Sequence, residues 1–507
     1  MAKNIIVIGA GPGGLAAAML LSSKGYNVTV FEKQPFVGGR NGSMTIDGYT
    51  FDIGPTFLSM PHIAEELFEA ANRNIDDYLQ LEELETMYEL QFDDIQLKMT
   101  RNEHEMYHQI ETHFPGEGKG YLAFMKETKK KMDVLTPILQ SKMDRYSDYL
   151  SLKVLKALPE LSLGKSLYDV LSQYFTSEKL KLSFTFQSKY LGMSPWECPG
   201  AFSILSYMEH EHGIFHPIGG LNQLPKAMAK VTEEYGGEIR LNMGVEKLWL
   251  EGKDVKGVIL ENGEKIEADE VVINGDFAHV MTKLVEPGAL KKYSPTKLEK
   301  KKYSCSTFMI YLGLNHMYNL PHHTICFAED YKKNVEDITK TKTLSMDPSI
   351  YIQNASITDS TLAPKGKSAL YILAPVPNNF SEIDWEKHEN AFRDLVFETI
   401  ERKTGFKSLR QFIEVEKIIS PRHWEQDMHV YKGATFNLGH QLSQMMVLRP
   451  HNRFEELNHA WLVGGGTHPG SGLPTILESA RITTRLIMES DGLKIEYPIQ
   501  PKMEQAL

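Results

Sequence analysis

The chain opens with a pattern of apolar and small residues that predicts a strand, a helix and a second strand. The apolar run "NIIVI" at residues 4–8 ends in glycine, as expected of a buried strand. It is followed by "LAAAMLLSSKG", which predicts a helix, and by "NVTVFEK", which predicts the next strand. Near the other end, "AWLVGGG" and "TILESARITTRLIME" predict a second junction between a strand and a helix. The two junctions suggest two parts of one binding site, brought together from opposite ends of the chain.

The stretches between these junctions differ in pattern and divide the chain into five predicted segments. The nucleotide-binding segments are 1–70, 211–285 and 451–507. Residues 71–210 are predicted to be mostly helical, and residues 286–450 are predicted to mix strands with helices. Asn262-Gly263 between two apolar runs predicts a hairpin. The predicted fold class is α/β, with a Rossmann-like domain in three separate segments and an inserted α+β domain.

Composition narrows the choice of partners and of compartment. Hydrophobic residues make up 42% of the chain and charged residues 24%, and the net charge of −11 argues against nucleic acid as a partner. The three cysteines are scattered, so neither a disulfide framework nor a metal site is expected, which fits a cytoplasmic setting. The first apolar stretch is broken by "GAGPGG", so we do not expect a signal peptide.

The first junction carries the glycine spacing of a dinucleotide site. Gly9, Gly11 and Gly14 form the pattern G-x-G-x-x-G between the predicted strand and helix. The first glycine permits a tight turn, the second lets a pyrophosphate approach the backbone, and the third lets the helix pack close to the strand. The phosphates are expected at the helix N-terminus, on free N–H groups.

The residues that follow the second strand favour one kind of dinucleotide. Glu32 stands about 20 residues past the glycines, where an acidic side chain holds the ribose diol, and it disfavours the 2′-phosphate of NADP. Gly39 and Arg40 of "VGGR" offer close backbone approach and a charged donor to phosphate. This arrangement resembles the FAD-binding start of the amine-oxidase-like flavoproteins.

Over nearly its whole length the sequence resembles the bacterial carotenoid desaturase family, of the phytoene or diapophytoene desaturase type. The resemblance is carried by "VIGAGPGGLAAA", "VFEK", "VGGR", "GYTFDIGPTFL", "YLGMSPWECPGAFSILSYMEHEHGIFHPIGGLNQLPKAM", "DPSIYIQNASITDSTLAPKGKSALYILAPVP", "LRPHNR" and "WLVGGGTHPGSGLPTILESARI". The last stretch is the most specific. It has Thr467 where many other flavoproteins carry an aspartate.

The resemblance implies FAD as cofactor and a long isoprenoid hydrocarbon as substrate, which loses a hydride to the flavin and then a proton. The expected cofactor contacts are Gly9, Gly11, Gly14, Glu32, Lys33, Gly39, Arg40, Gly54, Pro55, Thr56, Val245, Gly465, Gly472, Leu473 and Pro474. The helix that begins near Leu473 is expected to aim its N-terminus at the flavin ring. His468 and Thr56 are candidate catalytic residues. His468 is equally compatible with a structural role, and His322 and His323 are expected in a surface loop.

Other reactions stay open at this stage. The same scaffold serves carotenoid terminal-methyl oxidases and carotenoid isomerases, and more distantly amine and protoporphyrinogen oxidases. A prenyl-binding module without redox chemistry would not need the intact glycine and Glu32 set. The electron acceptor is expected to be oxygen or a quinone, and a homo-oligomer is allowed.

A membrane-contact region is expected because a carotenoid is stored in the bilayer. Within 133–175, leucines such as Leu152 and Leu155 alternate with Lys153 and Lys156. An apolar face with a lysine fringe suits a helix lying in the membrane interface, although a core helix with a solvated face shows the same pattern. The expected location is cytoplasmic and peripheral on the cell membrane.

Overall fold

The nucleotide-binding sheet is assembled from distant parts of the chain. The structure is a computed structural model and describes residues 2–493, so the end of the predicted segment 451–507 lies outside the described residues. The strands are β1 (Asn4–Ile8), β2 (Asn27–Phe31), β3 (Ser43–Ile46), β4 (Tyr49–Asp52), β5 (Leu58–Ser59), β6 (Leu81–Glu83), β7 (Thr86–Gln91), β8 (Gln96–Thr100), β9 (Ile214–Pro217), β10 (Glu238–Arg240), β11 (Val245–Glu251), β12 (Asp254–Leu260), β13 (Lys265–Glu267), β14 (Glu270–Ile273), β15 (Ser306–Leu314), β16 (His323–Cys326), β17 (Ile350–Asn354), β18 (Ser368–Val376), β19 (Ile413–Ile419) and β20 (Ala460–Leu462). Five of them form a parallel sheet in the order β10-β2-β1-β14-β20.

Helices cover this sheet and fill the region before residue 213. They are α1 (Pro12–Ser23), α2 (Pro61–Ala70), α3 (Glu103–His113), α4 (Gly118–Leu139), α5 (Leu152–Ala157), α6 (Leu167–Leu171), α7 (Glu178–Ser183), α8 (Ile204–His212), α9 (Gln223–Glu234), α10 (Phe277–Lys283), α11 (Pro295–Glu299), α12 (Tyr331–Glu336), α13 (Trp385–Lys403), α14 (Leu409–Phe412), α15 (Pro421–Gln426) and α16 (Leu473–Ser490). Helix α1 packs against both α9 and α16, so the two glycine junctions lie side by side. Among the described residues, no helix is both long and apolar enough to cross a bilayer.

A second, seven-stranded sheet forms the floor of the inserted region, in the order β19-β15-β18-β17-β16-β7-β8. Strand β15 is buried along its whole length because both of its faces are covered. Phe308 and Ile310 pack against Trp385 of α13, whereas Met309 and Tyr311 point to the opposite face. This alternation is the two-residue period of a strand.

Three strands depart from the prediction of a mostly helical segment at 71–210. Residues 81–100 form β6, β7 and β8, and the last two extend the seven-stranded sheet through a parallel pairing of β7 with β16. Four consecutive residues of "TMYELQ" are buried by this pairing, and the helical prediction is wrong for this stretch. The predicted hairpin at Asn262-Gly263 is confirmed, because β12 and β13 pair antiparallel across it. The boundaries of the five segments stay predictions.

Candidate active site

A cavity of about 780 Å³ lies where the two sheets meet, and residues from both ends of the chain line it. Its size is that of a small-molecule or cofactor site. The predicted cofactor contacts in its wall are Gly9, Gly11, Glu32, Lys33, Gly39, Arg40, Gly54, Pro55, Thr56, Val245, Gly465, Gly472, Leu473 and Pro474. Gly14 lies behind the wall, in the first turn of α1.

The glycine turn between β1 and α1 is packed so closely that side chains would not fit. A Cβ on Gly14 would lie 2.3 Å from the carbonyl oxygen of Gly9, and one on Gly11 would lie 2.8 Å from the side-chain amide nitrogen of Asn274. The "VGGR" loop closes over the turn, because the Gly38 N–H donates to the carbonyl of Ala10 (2.8 Å). The turn thus leaves bare backbone at a helix N-terminus, which fits a pyrophosphate.

Glu32 follows β2 and faces the cavity beside this turn. Its carboxylate is buried and accepts hydrogen bonds from the backbone N–H groups of Ala10 (2.8 Å) and Gln34 (2.9 Å). Each carboxylate oxygen has a second lone pair, so the group can also accept from a ribose diol. Lys33 and Val245 lie at the same end of the cavity, and burial lowers the pKa of Lys33 to about 8.

Arg40 is held at the cavity wall by one of its guanidinium nitrogens. Its Nη1 donates to the carbonyl of Thr435 (2.7 Å) and lies 3.9 Å from the carboxylate of Asp276. A guanidinium has five N–H donors in a planar fork, which suits it to a phosphate in the cavity. Burial raises the pKa of Asp276, and the charge of Arg40 opposes this shift.

The segment Gly54–Thr56 is fixed by tyrosines of the second sheet. A Cβ on Gly54 would lie 2.4 Å from the carbonyl of Arg40, and the Gly54 carbonyl accepts from the hydroxyl of Tyr371 (2.6 Å). The Thr56 hydroxyl bonds to that of Tyr351 (2.5 Å), which bonds in turn to Nδ1 of His323 (2.7 Å). Thr56 is therefore the cavity end of a buried polar chain.

The two histidines beside this series of hydrogen bonds do not lie where the sequence predicts. His322 and His323 were expected in a surface loop, but both rings are buried, and His323 begins strand β16. The surface prediction is wrong because both rings have partners inside the protein. His322 bonds to the Thr358 hydroxyl (2.8 Å) and packs beside the His216 ring, and His323 bonds to the Tyr351 hydroxyl. Burial lowers the pKa of His322 to about 3.

The second glycine junction brings the N-terminus of α16 to the cavity. Gly472 has φ +112°, a left-handed conformation that glycine adopts readily, and α16 begins at the next residue. A buried guanidinium stabilises the backbone behind it. Arg449 donates to the carbonyls of Gly465 (2.6 Å) and Thr467 (3.0 Å), and burial lowers its pKa to about 10. Sequence reasoning assigned no contact to Arg449, because its partners are main-chain carbonyls.

His468 lies outside the cavity lining. Its Nε2 bonds to the carbonyl oxygen of Ser141 (2.9 Å), and burial lowers its pKa to about 4. The preceding Thr467 hydroxyl donates to the carbonyl of Pro450 (2.6 Å). The expectation that His468 accepts a proton from the substrate has no geometric support, whereas Thr56 does line the cavity.

Away from the glycine turns, the cavity wall is largely apolar. The residues of this apolar half are Phe57, Phe186, Leu191, Leu205, Met208, Ile325, Phe327, Ile350 and Leu373. Two ionisable side chains, Lys189 and Glu209, also reach it, and sequence reasoning missed both. Neither belongs to a short motif. Glu209 is recognised only from its hydrogen bond to Tyr88 of β7, and Lys189 only from its place in the cavity wall.

Comparisons with known proteins agree with this geometry. Residues 12–304 match the family described as flavin containing amine oxidoreductase. A 4,4'-diapophytoene desaturase (4,4'-diapolycopene-forming) of a Methylomonas species is 51% identical over 97% of each chain. A zeta-carotene-forming phytoene desaturase of Myxococcus xanthus is 36% identical over 96% of this chain and 94% of its own.

Solved structures share the fold at low sequence identity. An oxidoreductase from Methanosarcina mazei superposes with a TM-score of 0.62 and 17% identity, over 96% of this chain and 100% of its own. A putrescine oxidase variant gives a TM-score of 0.60 and 14% identity, over 97% of this chain and 99% of its own.

The chain belongs to the flavin-containing amine oxidoreductase family, and within it to the carotenoid desaturases. Its cofactor is FAD, and its fold is the Rossmann-like α/β fold of that family. The bare glycine turn, the buried acceptor Glu32 and the guanidinium of Arg40 fit this cofactor.

Proposed function

We propose that this FAD-dependent desaturase acts on a C30 carotenoid precursor, 4,4'-diapophytoene, and introduces conjugated double bonds into it. The choice of a C30 substrate is supported by the 51% identity to a 4,4'-diapophytoene desaturase over 97% of both proteins. A related protein from Myxococcus xanthus, whose name gives phytoene as its substrate, is 36% identical to this chain. The C30 substrate is therefore the first choice.

Each half of the cavity has its own task in this reaction. When bound, FAD supplies the hydride acceptor. The glycine turn, Glu32 and Arg40 hold its nucleotide part, while Gly54–Thr56 and the N-terminus of α16 position its ring. The apolar half holds the hydrocarbon and excludes water, so that a charge developing on the polyene interacts with the protein alone.

A product assay tests the proposed reaction and chain length together. The enzyme, with FAD and membranes, is supplied separately with the colourless C30 and C40 precursors and with an already coloured polyene. We expect the C30 precursor to lose hydrogens in steps of two and its absorption to move into the visible. Oxygen gained by the coloured polyene, with both precursors untouched, would instead indicate a terminal-methyl oxidase.

An exposed apolar patch supports delivery of the substrate from a membrane surface. Tyr146, Leu150, Leu152 and Leu163 are 74%, 76%, 68% and 60% exposed, and lysines flank them. In this patch the helix expected within 133–175 is the short α5, flanked by 3₁₀ turns at Tyr146–Leu150 and Leu158–Glu160. Tyr149 connects this patch to the segment that precedes the second glycine junction, because its hydroxyl accepts from the Val447 N–H (2.6 Å).

A Leu152→Asp/Leu155→Asp variant is expected to pellet with membranes at least tenfold less than wild type. Burying one leucine in an apolar phase contributes roughly 1.5–3 kcal/mol, and the aspartates add repulsion from anionic lipids. Vesicle co-sedimentation measures the effect. Met346→Asp, at an apolar side chain that is 79% exposed outside the patch, is the control. Equal sedimentation of the double variant and wild type would contradict the membrane contact.

The same membrane offers a quinone as final electron acceptor, with oxygen as the alternative. A cytoplasmic enzyme that is peripheral on the membrane would meet both. Anaerobic assays with and without added quinone distinguish them, because only a quinone-linked enzyme turns over repeatedly without oxygen.

A further inference from the structure

A carboxylate lies in the wall of the apolar half of the cavity. Glu209 of α8 is 3% exposed and lines the cavity next to Met208, Leu205 and Phe186. Burial of a carboxylate among apolar side chains is costly unless hydrogen bonds compensate it. Its position on a substrate-facing surface therefore calls for a chemical role.

The carboxylate is oriented by two donors. The Tyr88 hydroxyl donates to Oε2 of Glu209 (2.9 Å), and the side-chain amide of Gln187 donates to the same oxygen (2.9 Å). Gln187 also donates to the Tyr88 hydroxyl (3.2 Å). Burial, reinforced by the charge of Glu209, raises the pKa of Tyr88 well above its usual value, so Tyr88 keeps its proton and donates it. These two hydrogen bonds compensate part of the cost of burying the carboxylate.

Glu209 lies near the part of the cavity assigned to the flavin ring. Helix α8 packs against β5, which follows Thr56 and Phe57 in the chain. Burial raises the pKa of Tyr351, the partner of Thr56, and the charge of Glu209 adds to this rise, so the two groups share one electrostatic environment. The carboxylate thus faces the region where the substrate would react.

Desaturation needs such a group. It removes a hydride from one carbon, which leaves an allylic cation, and then a proton from the next carbon. A fixed negative charge in a water-free cavity stabilises the cation, and a carboxylate in the apolar wall can also act as a base.

We propose that Glu209 is the proton acceptor of the desaturation, a role that rests on the proposed function. The C–H bond of the carbon beside the cation breaks, its electron pair becomes the new C=C bond, and the proton passes to a carboxylate oxygen of Glu209. FAD, held by the glycine turn, Glu32 and Arg40, would supply the oxidant for the hydride lost from the first carbon. The Tyr88 and Gln187 hydrogen bonds aim the carboxylate at the cavity.

Three other candidate groups are less suited than Glu209 to accept the proton. The Thr56 hydroxyl is a weak base already bonded to Tyr351. Burial lowers the pKa of Lys189 to about 7, and its side-chain nitrogen lies 4.7 Å from the centroid of the Tyr331 ring, so its protonated fraction would oppose a cation in the cavity. His468 lies outside the cavity lining.

The test replaces Glu209 by glutamine and separates chemistry from binding. The substrate is 4,4'-diapophytoene, deuterated either at the carbon that loses the hydride or at the carbon that loses the proton. For Glu209→Gln we expect kcat to fall at least 100-fold, with KM within threefold and FAD content unchanged. The isotope effect at the proton-losing carbon should rise, because that step becomes limiting.

Two further variants make the result decisive. Glu211→Gln changes a glutamate of the same helix whose side chain is 40% exposed and paired with Lys129, and it should behave as wild type. Glu209→Asp keeps the charge and should recover part of kcat, and it serves as the folded comparison should Glu209→Gln bind no FAD. A Glu209→Gln enzyme with half the wild-type kcat or more, or an unchanged isotope effect, would overturn the role of Glu209. A wild-type enzyme that leaves every precursor unreacted would overturn the proposed function itself.

Discussion

A Gly14→Val protein is expected to purify without colour, with its FAD content at least tenfold below wild type. The Cβ would lie 2.3 Å from the carbonyl oxygen of Gly9 and 2.9 Å from the side-chain amide nitrogen of Asn274. Both atoms belong to the frame of the nucleotide turn, so the helix must move away from the strand that it packs on. Overpacking of this kind costs typically 1–3 kcal/mol, and here it also misaligns the N–H groups that face the pyrophosphate. Flavin absorbance per polypeptide measures the loss directly.

The matched control for this variant is Gly25→Asn, at the other end of the same helix. Gly25 has φ +86°, with no atom within 4 Å of a built Cβ, and asparagine tolerates this conformation better than most residues. It should retain FAD and turnover. Full flavin content in Gly14→Val, together with normal activity, would contradict the assignment of this turn to the cofactor.

The nucleotide-binding part of the fold could be predicted because its determinants are local in the sequence. A buried strand, three spaced glycines and an acid at the end of the next strand are read within about thirty residues of one unit. The structure places Gly9, Gly11 and Glu32 together for the same reasons of sterics and hydrogen bonding. Even the distant Gly472 was recognisable, since a glycine-rich stretch before a helix is itself a local signal.

The substrate half of the cavity could not be predicted in the same way, because long-range pairing creates it. Glu209 becomes part of a polar cluster only when Tyr88, from a strand predicted to be helical, joins the second sheet beside β16. Tyr351 bonds to Thr56 across 295 residues of the chain, and His323 bonds to Tyr351 across 28 residues. His468 belongs to a specific local motif, but the motif does not determine the direction of its ring, which bonds to the carbonyl of Ser141.

The protein is expected to lose stability steeply as the pH falls from about 6.5 to 4, and buried histidines are the cause. Burial lowers the pKa of His210 to about 4, of His322 to about 3 and of His468 to about 4. An unfolded histidine titrates near 6.5, so below this pH the unfolded chain binds more protons than the folded one, and protonation favours unfolding. For each of these histidines, this difference in proton binding lowers the free energy of unfolding by about 2 kcal/mol between pH 7 and pH 5.

Two buried carboxyls act in the opposite direction but do not cancel this effect. Burial raises the pKa of Asp52 to about 6 and of Glu478 to about 7, so they bind protons more tightly when folded and offset roughly 3 kcal/mol over the same range. The net loss is a large share of the 5–15 kcal/mol that stabilises a typical domain. Thermal unfolding of the FAD-loaded enzyme at a series of pH values measures it.

The variant His210→Gln should flatten this pH dependence by about 2 kcal/mol, because glutamine cannot take up the proton. In the wild type, Nδ1 of His210 bonds to the carbonyl oxygen of Thr100 (3.0 Å), a bond that a glutamine amide can replace. His388→Gln, at an exposed ring, is the matched control. A wild-type enzyme equally stable at pH 7 and pH 5 would contradict the neutral, buried state of these rings.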